Sequence, residues 1–237
     1  MTYRYAALLV LVSCAKQPAP SAEATQEPKA SAPSADAPAS SDEALPTDCE
    51  PRMFADTAGN HDRFRFEAED GRVGYRDAAG DAVIAPRFAF AYEFSAEGIA
   101  AVVDDDGFAF IDINGDVLAR AFAFDNGPDY FQEGRARIVD GEKVGFIATD
   151  GSIVVAPQFE HASAFCEGLA VVCQGCRIVP DGEHSRVEGG TWGYIDPGGT
   201  LVIPPRFDAA EPFSDGTARV VEGGRELVIG RDGRPVD

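Results

Sequence analysis

The sequence predicts an all-β repeat protein, and three observations carry that expectation. The same ordered set of landmarks recurs along the chain: a glycine-bearing aromatic segment, an apolar run closed by Pro-x-Phe, and an aromatic–acid–glycine element. Each set ends in a stretch where small apolar and polar residues alternate with period two, the pattern of a half-buried strand. No window long enough for a helix carries an apolar stripe of 3.6-residue period. Self-similarity at a fixed spacing marks a repeat architecture, in which each unit buries its apolar face against its neighbours.

Strand one of each unit is read in Val73-Gly74-Tyr75, Phe108-Ala109-Phe110-Ile111-Asp112, Val144-Gly145-Phe146-Ile147 and Trp192-Gly193-Tyr194-Ile195-Asp196. A second glycine follows seven residues after the first-named residue, at Gly80, Gly115, Gly151 and Gly199. Asp150-Gly151 and Pro197-Gly198-Gly199 have the composition of a hairpin turn, where glycine can take positive φ. Strand two is the apolar run of Val83-Ile84, Ile153-Val154-Val155 and Leu201-Val202-Ile203, closed by Pro86-Arg87-Phe88, Pro157-Gln158-Phe159 and Pro205-Arg206-Phe207. Proline ends it because proline has no N–H to give to a ladder. Unit two is degenerate here, with Ala119-Arg120-Ala121-Phe122 and one residue fewer.

Next come Phe94, Phe131, Phe165 and Phe213, each shortly before an acid–glycine pair (Glu97-Gly98, Glu133-Gly134, Glu167-Gly168, Asp215-Gly216). These segments are loops whose aromatic residue should point inward. Strand three follows at Ala100-x-Val102, Ala136-x-Ile138, Ala170-x-Val172 and Ala218-x-Val220, and short loops from Asp104, Asp140 and Glu222 lead into the next unit. Successive units are spaced 35 (74 to 109), 36 (109 to 145) and 48 (145 to 193) residues apart, and a partial copy at Glu226–Ile229 with Gly233 closes the chain.

From about Phe66 to Asp237 this pattern resembles the bacterial WG-repeat family, named for a Trp-Gly pair followed by Tyr/Phe-Ile-Asp. Only Trp192-Gly193 keeps the literal pair; Val73, Phe108 and Val144 stand in for the tryptophan elsewhere. The resemblance implies an exported or lipid-anchored protein and no shared enzymatic activity. About five three-stranded antiparallel units are expected. A lone third strand near Arg65–Ala68 opens the region, and strands one and two at 226–236 end it. Pairing of residues 63–68 with 226–236 would close a propeller-like ring and remove exposed sheet edges. An open β array is the alternative.

The first residues read as an export signal, with Arg4, the apolar run Ala6–Val12, and then Ser13-Cys14. The run is too short to span a bilayer as a helix. Leu11-Val12-Ser13-Cys14 resembles the lipobox of bacterial lipoproteins, which implies cleavage before Cys14 and acylation of its thiol and amine. Ala15 after Cys14 points to the outer membrane in a Gram-negative source. Residues 15–46 are almost wholly Ala, Pro, Ser, Glu, Asp and Thr with no aromatic residue, a composition that cannot offset its ordering entropy by burial. The organisation expected is therefore a signal peptide (1–13), a lipidated disordered tether (14–46) and a β-repeat domain (47–237).

The formal charge is −20, or −21 once Arg4 leaves with the signal (19 basic against 40 acidic residues). Nucleic acid is excluded as a partner, because phosphate needs a positive footprint. The membrane is the expected partner through Cys14, together with an envelope protein or ligand that the sequence does not identify.

The stretch between Cys173 and Trp192 is the one the repeat does not require, and it reads as a long surface loop suited to binding. Its candidate contacts are Arg177, His184, Arg186 and Trp192. With Cys14 assigned to lipid, Cys49, Cys166, Cys173 and Cys176 remain, an even number that points to disulfides in an exported protein. The preferred pairing is Cys173 with Cys176 and Cys49 with Cys166. A metal site of Cys166, Cys173, Cys176 and His184 has suitable ligand types, but an oxidising compartment opposes it. Asp112-Ile113-Asn114-Gly115-Asp116 lacks the glycine spacing and distal glutamate of a calcium loop and reads as a turn. No nucleophile or zinc motif surrounds His61, His161 or His184, so neither a catalytic residue nor a cofactor is expected. The functional expectation is a non-catalytic binding scaffold at the cell envelope. The alternative is a propeller-type hydrolase with acidic residues at an axial pocket.

Overall fold

The computed structural model describes Cys49 and residues 60–181 and 184–236, all within the unit Glu43–Asp237. The signal, Cys14 and the tether lie outside the described residues. Every regular element among the described residues is a strand, and every pairing is antiparallel.

The chain builds its sheets in sequence order. The first contains β1 (Phe64–Glu67), β2 (Val73–Arg76) and β3 (Ala82–Phe88). The second begins with β4 (Phe90–Ala91), β5 (Ile99–Asp104), β6 (Gly107–Asp112) and β7 (Val117–Ala121). A small hairpin, β8 (Ala123–Phe124) and β9 (Gly127–Pro128), precedes β10 (Arg135–Asp140), β11 (Lys143–Ala148) and β12 (Ile153–Phe159). Then come β13 (His161–Ala162), β14 (Ala170–Asp181), β15 (His184–Ile195) and β16 (Leu201–Phe207). The last sheet holds β17 (Ala209–Ala210), β18 (Thr217–Glu222) and β19 (Arg225–Gly230), with Pro235 bridged to Ile229.

Two features of this order differ from the sequence expectation. The segments expected to link units are the tightest turns in the molecule: Asp104 pairs with Gly107, Asp140 with Lys143, and Glu222 with Arg225, leaving two residues in each loop. A two-residue hairpin forces its flanking strands into one sheet. Each sheet therefore combines strand three of one unit with strands one and two of the next. Strand two, moreover, does not end at its proline: it runs through Pro86, Pro157 or Pro205 to the phenylalanine, because the register slip there leaves the proline nitrogen out of the ladder. After a bend at Ala89, Glu160 or Asp208 it continues as β4, β13 or β17, the edge strand of the following sheet.

The pairing expected between residues 63–68 and 226–236 is not among those of the described residues. Phe64–Glu67 pairs with Val73–Arg76, and β19 pairs with β18. The cause is the same short turn chemistry: each terminal piece finds its partner a few residues away, at a far smaller loop-closure cost than pairing across the domain.

The glycine of strand one is set by a close approach. A Cβ on Gly74 or Gly193 would lie 2.5 Å from the carbonyl oxygen of Ile84 or Ile203, against the bulge carrying Pro86 or Pro205. Gly145 meets Val155 and Pro157 in the same way. The ladder register slips at each of these places. Unit two carries Ala109 instead. Its strand two is two residues shorter and has no proline, so Ala109 pairs regularly with Arg120. Without the bulged corner, β7 runs straight on to pair with β10, which fuses two sheets into one of seven strands.

Three apolar clusters fill the spaces between successive sheets, and a fourth, that of Phe110 and Phe131, lies between the two halves of the seven-stranded sheet. Ala100 and Val102 of β5 join the cluster of Tyr75 and Phe88, whereas Ile99 and Ala101 join that of Phe110 and Phe131. Strand β14 divides likewise between the clusters of Phe146 and Tyr194. Interior strands are thus buried on both faces. The loop phenylalanines do point inward, and each meets the aromatic ring of a strand one: Tyr75–Phe94 at 4.7 Å, Phe110–Phe131 at 5.5 Å, Phe146–Phe165 at 4.7 Å and Tyr194–Phe213 at 5.0 Å. Each buried ring of this kind contributes about 1.5–3 kcal/mol. Tyr75 and Tyr194 also donate their hydroxyls to the carbonyls of Tyr92 and Glu211. The turn glycines seat on the preceding unit, with Gly115 on Ile84, Gly151 on Leu118, Gly199 on Val155 and Gly233 on Ile203.

Candidate functional site

The degenerate unit two carries a buried ion pair. Its β8–β9 hairpin turns at Asp125 and Asn126, both at positive φ, and carries Asp129 in beneath strand β10. There the Asp129 carboxylate accepts three hydrogen bonds from Arg137. The backbone N–H reaches Oδ2 at 2.8 Å, Nε reaches Oδ2 at 2.9 Å, and Nη2 reaches Oδ1 at 2.7 Å. The side chains are only 9% and 3% exposed. Arg137 Nη1 also donates to the Ala162 carbonyl at 3.3 Å, and the guanidinium lies 4.2 Å from the Phe122 ring centroid. Charge, planar face and fork are all engaged, which is the arrangement a buried ion pair requires.

Above this pair opens a cleft of about 440 Å³, within the range of small-ligand sites. Phe124, Tyr130, His161 and Trp192 supply its aromatic surfaces, with Ala210 and Pro212 on the side of the last sheet. Register explains two of these walls. His161 pairs with Cys173, and Cys173 pairs with Trp192, so the three sit abreast on β13, β14 and β15. The His161 and Trp192 rings meet edge to face at 5.5 Å, and Phe124 meets Tyr130 at 6.0 Å.

The polar groups on the cleft divide into spent and unspent. Ser163 Oγ donates to the Ala164 carbonyl and accepts from the Val171 N–H. The Tyr130 hydroxyl, the Gln132 amide and the His161 ring line the same cleft and have no hydrogen-bond partner among the described residues. Burial, reinforced by the nearby Arg137 charge, holds the His161 imidazole below its ordinary pKa of 6.5. A neutral imidazole offers one donor and one acceptor.

The insertion between Cys173 and Trp192 is not a loop. It extends β14 and β15 to twelve residues each, paired in one unbroken register from Ala170–Ile195 out to Asp181–His184. The two-residue turn between Asp181 and His184 holds both arms in register, which gives a hairpin ribbon in place of an irregular loop. Of the proposed contacts, Trp192 lies on the cleft. Arg177 and Arg186 stand out on the ribbon and share Glu188, Arg177 at 3.2 Å, so they do not converge with Trp192 on one site. The side chain of His184 lies outside the described residues.

The four cysteines come together in two pairs, Cys49 with Cys166 (Cα–Cα 4.9 Å) and Cys173 with Cys176 (6.1 Å). The second pair closes the base of the ribbon beside Trp192. Among the described residues no group of three or more His, Cys, Asp or Glu side chains is placed to hold a metal ion. Asp112 Oδ1 accepts from the N–H groups of Asn114 and Asp116, an Asx-type turn.

The sequence reading passed over Phe124, Asp129, Tyr130, Gln132 and Arg137, and set His161 aside because no motif surrounds it. One signal was present: Arg137 occupies the strand-three position that holds Ala101 and Val171 in neighbouring units, where an arginine has no business in an apolar core without a buried partner.

Residues 74–108, 145–175 and 192–225 each match the family described as WG containing repeat. The matched segments leave out 109–144, which is the degenerate unit that builds the cleft. No curated protein matches the chain.

Proposed function

We propose that this chain is a WG-repeat lipoprotein of the cell envelope, exported and anchored through Cys14. On this reading its β body is a non-catalytic binding scaffold, with the Phe124–Trp192 cleft as its ligand site. The observation that carries the binding role is that three polar side chains, those of Tyr130, Gln132 and His161, line one aromatic-walled cleft. All three side chains are half-buried and unpaired among the described residues, so a ligand that covers them can supply the hydrogen bonds that water otherwise makes. The strand pairings favour an open array of sheets over a closed ring, which leaves both terminal sheets free at the envelope surface.

The hydrolase alternative needs two positioned carboxylates. Among the lining residues Asp129 is the one carboxylate, and Arg137 occupies it. That favours binding.

Trp192 is the sole tryptophan, so its emission reports the cleft directly. A panel of sugar-like, anionic, cationic and planar apolar probes is titrated against the chain. A saturable change that Ser163→Phe abolishes by filling the cleft, followed by calorimetry, supports the reading; silence across the panel counts against it. The anchor is tested separately. Radiolabelled palmitate should enter the chain and fail to enter Cys14→Ser, and a lipoprotein signal-peptidase inhibitor such as globomycin should make the precursor accumulate. An unaffected precursor would remove the anchor.

A further inference from the structure

Resting on the cleft as the ligand site, we infer that its ligand is a neutral saccharide, held by aromatic faces and by hydroxyl hydrogen bonds to Tyr130, Gln132 and His161. Three features of the cleft select that class. Its charge is internally cancelled, because the Arg137 guanidinium is held by the Asp129 carboxylate in a bidentate pair. An anionic ligand would enter a chain of net charge −20 and find no uncompensated cation among the lining residues. A cationic ligand would be brought against Arg137 with the one carboxylate among the lining residues already taken.

A purely apolar ligand fits no better. It would cover the Tyr130 hydroxyl, the Gln132 amide and the His161 ring without giving them partners, and each such group costs about 1–3 kcal/mol when buried unpaired. The three groups share one property: a phenol, a carboxamide and a neutral imidazole each both donate and accept. A sugar hydroxyl does the same, so a ring bearing several hydroxyls can pair with all three without a charge on either side. The C–H faces of a pyranose are apolar and rigid, matching Trp192 and Phe124, and the cleft volume of about 440 Å³ admits more than one sugar ring.

The test uses the full chain with Trp192 emission and calorimetry as readouts. The probes are neutral disaccharides of the gluco, galacto, manno and N-acetylglucosamine types, the anionic digalacturonate, the cationic de-acetylated chitobiose, and indole. At least one neutral disaccharide should saturate the site and none of the charged ones should. Tyr130→Phe, which keeps the ring and removes the hydroxyl, and Gln132→Ala should each weaken that binding about tenfold, the equivalent of one hydrogen bond. An unchanged thermal midpoint in Tyr130→Phe would exclude a folding effect. Binding by a charged disaccharide or by indole, with the neutral sugars silent, overturns the saccharide class and leaves the ligand site standing. Failure of every probe overturns both.

Discussion

Arg137 shows what one residue can impose on a repeat. Its side chain heads for a face that is apolar core in the neighbouring sheets, and the hairpin carrying Asp129 supplies the carboxylate that makes its burial tolerable. Removing either partner strands a buried charge. Arg137→Ala or Asp129→Ala is expected to lower unfolding free energy by about 3–5 kcal/mol in urea titrations, and the double change to Met and Leu should cost much less than the sum. His161 yields a pH prediction. Its pKa is depressed in the folded protein by burial, then by Arg137, so the unfolded chain takes up the proton first as pH falls. The contribution is intact above the ordinary imidazole value of 6.5 and declines as pH drops below it towards the lowered folded value. The denaturation midpoint of the native chain should therefore fall relative to that of His161→Gln between about pH 7 and pH 5. A constant difference across that range would contradict the assignment.

At the scale of the element, the glycine of strand one and the proline of strand two form a single device. The bulged corner lays backbone on the glycine, and where the corner is missing alanine is admitted. Gly145→Ala should thus destabilise by about 1–3 kcal/mol through overpacking. Ala109→Gly, with no bulge to relieve, should cost only about 0.5–1 kcal/mol of strand entropy. The reverse order in paired chemical denaturations would refute the device. The Cys49–Cys166 link spans 117 residues and ties the segment before the first sheet to the loop before β14. Cys166→Ser is expected to cost about 2–5 kcal/mol, seen as a lower midpoint that added reductant no longer changes.

For the whole molecule, the alternating burial of the last sheet is informative. Ala218, Val220 and Ile229 face the core, while Arg219 and Val228 face outward, Val228 being 42% exposed. Phe64 of the first sheet is 39% exposed. An open array sums neighbour interactions, so deleting residues 209–237 should leave amide protection in β5–β12 largely unchanged while β14–β16 lose theirs. Loss of protection throughout would mean that the two ends depend on each other after all.

The sequence by itself determined which segments become strands, where the turns lie and which aromatic residues enter the core. Those properties follow from period-two patterning, turn glycines and prolines, all of which act within a few residues. Val73–Arg76 and Thr217–Glu222 were legible for that reason, whereas the run at Ile153 was expected to stop at Pro157 and continues to Phe159. The tertiary structure decided how the strands group into sheets, that the Cys173–Trp192 insertion is a ribbon, and that Tyr130, Gln132, His161 and Trp192 share a cleft. Grouping depends on whether a loop holds two residues or four, which changes the partner without changing the strand. The cleft depends on side chains from three units meeting across β10, β13 and β15, and repeat periodicity is silent about that because it describes what the units share. The residues that distinguish this molecule sit where one unit departs from the others, and only packing shows what the departure is for.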